Sequence, residues 1–483
     1  MLSSAARQYV DQRWDHVIVA RLSDYIRIPA KSPAFDPSWA AHGHLERVAR
    51  DALAWARNQP VRGLLAEIVA LDGRTPCVFF DAPSTRGGSA TDQTVLFYGH
   101  LDKQPEMSGW RSGLGPWQPV IQDGRLYGRG AADDGYAVYA ALTAIAALDT
   151  TGVPRPRCVG LIETCEESGS FDLPAYLEHL TPRMGQVGVL IGLDSGCGDY
   201  ERLWVTTSLR GMIGGVLSVE VLREGVHSGN ASGIVPSSFR IARMLLDRID
   251  DTRTGEVLDP FFQAQVPLDR HEQARTAGTV LGDQVWQQFP WARQEHETHT
   301  HDGDQTRPVS TDPVEAILNR TWKPALSVIG AAGLPQLKEA GNVLRPGTAL
   351  KLSVRLPPTV DAERAAQRMK QVLEADPPYD ARVRFDLESA GTGWNAPATA
   401  PWLKQALEQA SHAAFGLEPV WMGEGGTIPF ISMLGDKFPR AQFVITGVLG
   451  PQSNAHGPNE FLLIDYAKKL TSAIAQIVAD APF

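Results

Sequence analysis

The chain has 483 residues, 43% of them hydrophobic, and its 45 basic and 55 acidic side chains give a formal net charge of −10. This acidic balance argues against nucleic acid or an anionic membrane as the main partner, and it leaves small molecules and peptides open. The length exceeds what a single hydrophobic core usually supports, so we expect two domains.

The amino-terminal stretch carries charged residues among its apolar positions and lacks the uninterrupted apolar core of a secretory signal. No later segment is apolar enough to predict a membrane span, and we therefore expect a cytoplasmic protein. The four cysteines, Cys77, Cys158, Cys165 and Cys197, form no C-x-x-C pair. We predict reduced, mostly buried thiols rather than a zinc ribbon or a disulfide framework.

After a helical amino-terminal region, the chain alternates short apolar runs with helical patterns. The predicted strands are Cys77–Phe80, Val95–Tyr98, Cys158–Glu163, Val187–Leu193 and, much later, Gln442–Ile445. The predicted helices beside them are Tyr136–Leu148, Leu173–Leu180 and Pro401–Ala414. This alternation predicts an α/β sheet covered by helices on both faces.

The pattern changes between about residues 208 and 390. The predicted elements there are strands Gly214–Leu222, Ala349–Arg355 and Ala381–Leu387, and helices Ser237–Ile249 and Ala362–Ala375. This order predicts a small α+β module inserted into the first domain, with residues 1–208 and 391–483 forming one domain and 209–390 the other. A polar stretch, roughly 251–323, carries no pattern from which we predict a structure.

Several residues of metal-ligand type share one placement, just past the end of an apolar run. They are His100 and Asp102 after the second predicted strand, Glu166 and Glu167 after the third, Asp194 after the fourth, and His456 after the last. Asp133 joins them from a loop before a predicted helix. In a parallel sheet these strand ends lie along one edge, where open α/β folds bind ligands. Two imidazoles and three carboxylates can hold two divalent ions about 3.5–4 Å apart, so the residues predict a metal-dependent hydrolase.

Each of these residues alone would be ordinary, because an acidic residue at a strand end is usually a capping or solvated group. The prediction therefore depends on the whole set. The histidines His296, His299 and His301 look like a second cluster, but H-E-T-H is one residue short of the zincin spacing. We interpret that stretch as a solvated polar insertion.

Eight short segments carry a wider resemblance. In chain order they are YGHLDKQP (98–105), LYGRGAADDG (126–135), EES (166–168), the Asp194 region, GVHSG (225–229), SVRLPP (353–358), EGGTIP (424–429) and AHGPNE (455–460). In this order, and over nearly the whole chain, the sequence resembles the M20 metallopeptidases, within them the carnosinase-like and bacterial dipeptidase branch. The resemblance implies a zinc-peptidase-like catalytic domain with a mixed, mostly parallel sheet, and an inserted ferredoxin-like lid and dimerisation domain.

The resemblance also implies roles for the strand-end residues. The ligands of two zinc ions, or of manganese or cobalt in their place, would be His100, Asp133, Glu167, Asp194 and His456, with Asp133 bridging. Asp102 would hold the His100 ring in the right tautomer. Glu166 would be the general base, taking a proton from the metal-bridging water and passing it to the leaving nitrogen.

Further residues are implied in substrate binding. His227 would stabilise the oxyanion from the other subunit of a homodimer formed through the lid domain. Arg355 ends an apolar strand and would clamp the free carboxylate of the substrate. Asn342 precedes the same strand and would also bind substrate, while Gly426 and Thr427 belong to a loop that would approach the substrate backbone closely. On the alternative interpretation, Asn342 only shapes a turn and the glycines only permit tight packing.

Three residues depart from the family pattern, so the substrate of the carnosinase-like branch is not assigned to this chain. Carnosinase-type sequences carry Lys, Thr and Ser where this chain has Gly135, Asn342 and Thr427. We therefore expect a dipeptidase or related exopeptidase, and we do not name carnosine as its substrate. An N-acyl-amino-acid amidohydrolase with the same machinery is the alternative, and a non-catalytic metal-stabilised binding dimer is a third hypothesis.

Overall fold

The structure is a computed structural model that describes residues 2–87, 93–292 and 306–483. Its α-helices are α1 (Ser4–Arg13), α2 (Val19–Ile26), α3 (Trp39–His42), α4 (His44–Ala56), α5 (Ala137–Thr150), α6 (Leu173–Met184), α7 (Ser228–Ala231), α8 (Ser238–Leu246), α9 (Leu268–Leu281), α10 (Gln284–Gln287), α11 (Pro313–Thr321), α12 (Ala362–Glu374), α13 (Pro401–Phe415), α14 (Pro429–Lys437) and α15 (Ile464–Asp480). Its strands are β1 (Leu65–Val69), β2 (Cys77–Ala82), β3 (Gln93–His100), β4 (Val120–Gln122), β5 (Arg125–Tyr127), β6 (Arg157–Glu163), β7 (Gln186–Gly192), β8 (Trp204–Leu209), β9 (Gly211–Glu220), β10 (Val226–His227), β11 (Ala325–Ala332), β12 (Val343–Leu344), β13 (Gly347–Leu356), β14 (Arg382–Gly391), β15 (Trp394–Asn395), β16 (Val420–Glu424), β17 (Gln442–Ile445) and β18 (Phe461–Leu463).

The chain divides into two compact units. The first consists of Met1–Thr207, Ala396–Met422 and Met433–Phe483, and the second of Ser208–Asn395 and Gly423–Ser432. The short segment Gly423–Ser432 therefore groups with the second unit, although the sequence gives no sign of it.

The first unit is built on a mixed sheet with the strand order β1-β2-β6-β3-β7-β17-β8. Its central strands β6, β3, β7 and β17 run parallel, whereas β2 pairs antiparallel with β6 and β1 with β2. β3 is buried from its second residue to its last, as a strand with parallel neighbours on both sides should be. Helix α5, rich in alanine, is buried from Ala137 to Leu148 and packs against β3 and α15. The predicted mixed α/β fold is confirmed.

The second unit contains a four-stranded antiparallel sheet with the order β11-β13-β9-β14. Buried and half-buried residues alternate along β9, because one face of the sheet packs under α8 and α12. The core between them includes Ile213, Leu217, Ile241, Leu352 and Met369. The predicted α+β module is confirmed, and its role as a lid and dimerisation domain stays a prediction.

In its described residues, the polar stretch 251–323 contains three helices that were not predicted from the sequence, α9, α10 and α11. Helix α11 has a recognisable start, since the Asp312 side chain accepts hydrogen bonds from the backbone N–H groups of Val314 and Glu315 and Pro313 occupies the first turn. Helix α9 buries mostly small residues, so its amphipathic pattern is weak. The stretch that holds His296, His299 and His301 lies outside the described residues.

All four cysteines are buried, as predicted, and none of the four forms a disulfide bond. Among the residues that the structure describes, no helix combines the length and the apolar character that crossing a bilayer requires.

Candidate metal centre

The parallel register of the first unit brings three of the predicted ligand segments to one edge of the sheet. His100 is the last residue of β3 and lies opposite Glu163 at the end of β6, while Tyr98 lies opposite Gly192 at the end of β7. The loops that leave these strands carry Glu166, Glu167 and Asp194. The edge expected from the sequence therefore exists, and the side chains gather there.

Asp133 stands between two groups of donors. His100 Nε2 lies 3.4 Å from Asp133 Oδ1 and 3.7 Å from Asp194 Oδ2. On the other side, His456 Nε2 lies 3.0 Å from Asp133 Oδ2 and 3.3 Å from Glu167 Oε2. The donor atoms of each group, His100–Asp133–Asp194 and Asp133–Glu167–His456, all lie within 4.8 Å of one another. One carboxylate thus offers one oxygen to each group.

The donors of these groups fit divalent cations. His100 Nε2 and Glu167 Oε1 are buried and make no hydrogen bond with the described residues. A buried polar atom without a partner is costly, and a cation in each ligand group would satisfy the unpartnered atom of that group. Imidazole nitrogens and carboxylate oxygens suit zinc, and they also accept manganese or cobalt.

The electrostatics of the site reflect crowded carboxylates. Burial, followed by the charge of Asp194, raises the pKa of Glu166 well above its usual range. Burial also raises the pKa of Asp194 to about 7. Burial opposes protonation of His456, but its contact with Asp133 and the charge of Glu167 raise its pKa to about 9. A bound cation would relieve the repulsion among these carboxylates.

Asp102 contacts the His100 ring, and it also makes contacts with Glu166 and Glu167 that the sequence did not reveal. The His100 Nδ1 atom is 3.1 Å from the Asp102 carbonyl oxygen and 3.4 Å from its carboxylate oxygen Oδ1. The carboxylate itself accepts hydrogen bonds from the backbone N–H groups of Glu166 and Glu167, at 3.1 and 3.0 Å. Asp102 therefore fixes the backbone of the two glutamates as well as the imidazole.

Glu167 has a second neighbour that sequence reasoning missed. Gln104 Nε2 donates a hydrogen bond of 2.5 Å to Glu167 Oε2. Because the same oxygen faces His456, Gln104 orients the carboxylate toward that histidine. Gln104 belongs to the YGHLDKQP segment, but nothing in its position along the chain predicts this contact.

The remaining predicted site residues belong to the second unit. His227 ends the short strand β10 and pairs with Val343, and the N–H of Ser228 donates to the carbonyl oxygen of Asn342. The His227 and Asn342 segments are therefore neighbours, and both residues are exposed.

Arg355 and Thr427 also meet. Arg355 Nη1 donates to Thr427 Oγ1 at 3.1 Å, and that hydroxyl donates to the carbonyl oxygen of Arg210 at 2.6 Å. Burial lowers the pKa of Arg355. The site of a Cβ on the neighbouring Gly426 has no heavy atom within 4 Å, so this glycine leaves open space.

A mixed sheet whose parallel strands end near imidazoles and carboxylates, gathered into two groups around one shared aspartate, is typical of metal-dependent hydrolases. The comparisons with known proteins give the same class. A model of the peptidase family M20/M25/M40 matches residues 96–480. The chain therefore belongs to the M20 peptidase family, and it is an enzyme of the metallopeptidase class.

Individual relatives agree with this assignment. The chain is 27% identical over 371 residues to the cysteinylglycine-S-conjugate dipeptidase of Corynebacterium striatum, covering 76% of each protein. It is 27% identical over 388 residues to the Beta-Ala-His dipeptidase of Homo sapiens, covering 77% of this chain and 72% of that protein. The crystal structure of human carnosine dipeptidase 1 matches 98% of each chain with a TM-score of 0.74 at 21% identity. The structural match confirms the predicted zinc-peptidase-like fold.

Proposed function

We propose that the protein is a dipeptidase that uses two divalent cations, zinc in the first instance, to hydrolyse the amide bond of small peptides with a free carboxylate. The observation that carries the proposal is the shared position of Asp133, whose two oxygens lie in two different ligand groups. A single-metal site has no need of a second imidazole and a second set of carboxylates beyond the shared one.

The cations would supply Lewis acidity toward the substrate carbonyl and would lower the pKa of water toward neutrality. Glu166 lies beside this cluster but in neither ligand group, with its backbone N–H held by Asp102. We assign Glu166 as the base that takes a proton from the attacking water and delivers it to the leaving nitrogen. Glu167, the next residue, is directed to His456, so the two glutamates have different tasks.

Two observations support a dipeptide substrate. The relatives named above are dipeptidases for a cysteinylglycine S-conjugate and for Beta-Ala-His, which are both dipeptides with a free carboxylate. In this chain, the Nη1 atom of Arg355 contacts the neutral hydroxyl of Thr427. We propose that this guanidinium pairs with the free carboxylate of the substrate. Asn342, Gly426 and Thr427 are proposed to shape the rest of the pocket.

A substrate panel tests the proposal. The purified protein, loaded with Zn²⁺, Mn²⁺ or Co²⁺, is assayed on Cys-Gly, β-Ala-His and alanyl dipeptides, and on N-acetyl amino acids. We expect hydrolysis of dipeptides. Activity confined to the acylated amino acids would favour the amidohydrolase alternative, and no activity with any metal would favour the binding dimer.

The carboxylate clamp gives a second prediction. Arg355→Met should raise KM for dipeptides and lower kcat/KM by about 30-fold or more, the effect of truncating one partner of a charged pair. Dipeptide amides lack the carboxylate, so wild type and variant should hydrolyse them at the same low rate. Arg382→Met, which removes an exposed arginine of the same unit, serves as the control. An equal loss on dipeptides and on amides would contradict the clamp.

The role of His227 gives a third prediction. We propose that His227 stabilises the oxyanion and is supplied by the partner subunit of a homodimer. His227→Ala and Glu166→Gln proteins should each be inactive, whereas their random mixture should recover about one quarter of wild-type activity, because half of the dimers carry one complete site. Absence of recovery in heterodimers isolated by two affinity tags would contradict a shared site.

A further inference from the structure

Arg129 and Glu460 form an ion pair that is almost completely removed from water. Arg129 Nη1 lies 2.8 Å from Glu460 Oε2, and the two side chains are 1% and 0% exposed. Although the residues are 331 positions apart, they meet because β5 pairs antiparallel with β18, with Tyr127 opposite Phe461. A buried ion pair adds little net stability, because desolvation offsets the attraction. We therefore look for the role of this pair in the other hydrogen bonds that the two side chains make.

The guanidinium of Arg129 reaches two loops of the metal centre. Its Nη2 atom donates to the carbonyl oxygens of His456 and Gly457, at 3.1 and 2.8 Å. Its Nε atom donates to the carbonyl oxygen of Pro105, at 3.2 Å, in the loop that follows His100. One side chain thus connects the His456 loop to the loop after β3.

Glu460 completes the connection on the side of the shared aspartate. Its Oε1 atom accepts hydrogen bonds from the backbone N–H groups of Gly130 and Ala132, at 2.9 and 3.3 Å. Ala132 immediately precedes Asp133 in the chain. The pair therefore fixes the backbone beside Asp133 relative to the backbone of His456.

His456 is the ligand that most needs such support. Its side chain is 55% exposed, whereas the side chains of His100, Asp133, Glu167 and Asp194 are all below 10%. Its backbone has φ +63°, in the left-handed region that residues other than glycine rarely adopt. Because surrounding packing does not hold an exposed side chain, contacts to its backbone must set its position.

We propose that Arg129, neutralised by Glu460, is the positioning residue that fixes His456 for the cation held by Asp133, Glu167 and His456. This inference rests on the proposed two-cation centre. It assigns the pair to one of the two ligand groups, since Arg129 contacts the backbone of His456 and of no other proposed ligand among the described residues.

The test is metal binding, measured apart from turnover. Wild type, Arg129→Lys and the double variant Arg129→Met/Glu460→Gln are freed of metal and titrated with Zn²⁺ against a chelator. The absorbance of bound Co²⁺ is then followed during titration of the same three metal-free proteins with Co²⁺. Lysine keeps the charge but lacks the planar guanidinium that reaches three carbonyl oxygens. The double variant leaves no buried charge unpaired. We expect one Zn²⁺ to bind as in wild type and the other 10- to 100-fold more weakly, the range for residues that support a ligand.

Arg155→Lys is the matched control. Arg155 is a fully buried arginine that pairs with Asp149 at 2.9 Å and donates to the carbonyl oxygen of Pro83, and neither of these partners is a proposed metal ligand. This control should bind both cations as wild type does. Unchanged affinities in both Arg129 variants would overturn the inference, as would equal weakening of the two cations. Failure of both Arg129 variants to fold while Arg155→Lys folds would show a purely structural role and overturn it too.

The result separates the inference from the proposal on which it rests. A wild-type protein that binds fewer than two cations overturns the proposed function. Two cations in wild type, with both affinities retained in the Arg129 variants, overturn the positioning role alone.

Discussion

Replacing Glu166 with glutamine should lower kcat on dipeptides by about 10²- to 10⁴-fold, the usual contribution of a general base. Glutamine keeps the size of the side chain but cannot take a proton from water. Because Glu166 belongs to neither ligand group, the variant should still bind two cations with wild-type affinity. The measurement combines steady-state kinetics with the metal content of the same samples.

The neighbouring residue provides the control for this variant. Glu167→Gln makes the same chemical change one position along the chain, but Glu167 Oε2 lies 3.3 Å from His456 Nε2 in the second group. We therefore expect Glu167→Gln to lose one cation and Glu166→Gln to keep both. Retained turnover in Glu166→Gln, or loss of metal from it, would contradict the role assigned to Glu166.

Replacing Asp133 with alanine should have the largest effect on metal binding. Both ligand groups use this carboxylate, so both cations should bind more than about 100-fold more weakly, beyond what loss of a merely supporting residue causes. His100→Ala and His456→Ala should each weaken one cation more than the other. Calorimetric titration of metal-free protein with Zn²⁺ would measure the number of ions and both affinities.

Asp134→Asn tests whether the effect is specific to the shared carboxylate. Asp134 is the next residue in the chain and is also buried. Its Oδ2 accepts a hydrogen bond from the backbone N–H of His100, and the side-chain oxygen of asparagine can accept the same bond. This variant should keep two cations. A single cation at wild-type affinity in Asp133→Ala would show that the two groups do not share this residue.

Much of the first unit could be predicted from the sequence because its strands are short apolar runs with clear ends. Predicted strand Gln442–Ile445 matches β17, and predicted strand Val187–Leu193 differs from β7 by one residue at each end. The parallel arrangement then places His100 and Asp194 on one edge without further information. Local pattern and sheet topology were sufficient for this part of the candidate site.

The contacts that support these residues could not be predicted in the same way. Asp102 accepts hydrogen bonds from the backbone of Glu166 and Glu167, and Arg129 donates to the carbonyl oxygen of His456. Such contacts join distant segments through backbone atoms that every residue possesses, so no residue type or spacing indicates them. Helix α9 was not predicted for a different reason, since its buried residues are mostly small, Ala274, Ala277 and Gly278, with Leu281 as the one large apolar residue among them.

The measurement that tests the two-cation centre most directly is a crystal structure of the zinc-loaded protein with anomalous diffraction recorded on both sides of the zinc edge. We expect two peaks about 3.5–4 Å apart, one beside His100 and Asp194 and one beside Glu167 and His456, with Asp133 contacting both. A single peak, or two peaks that do not share Asp133, would contradict this expectation.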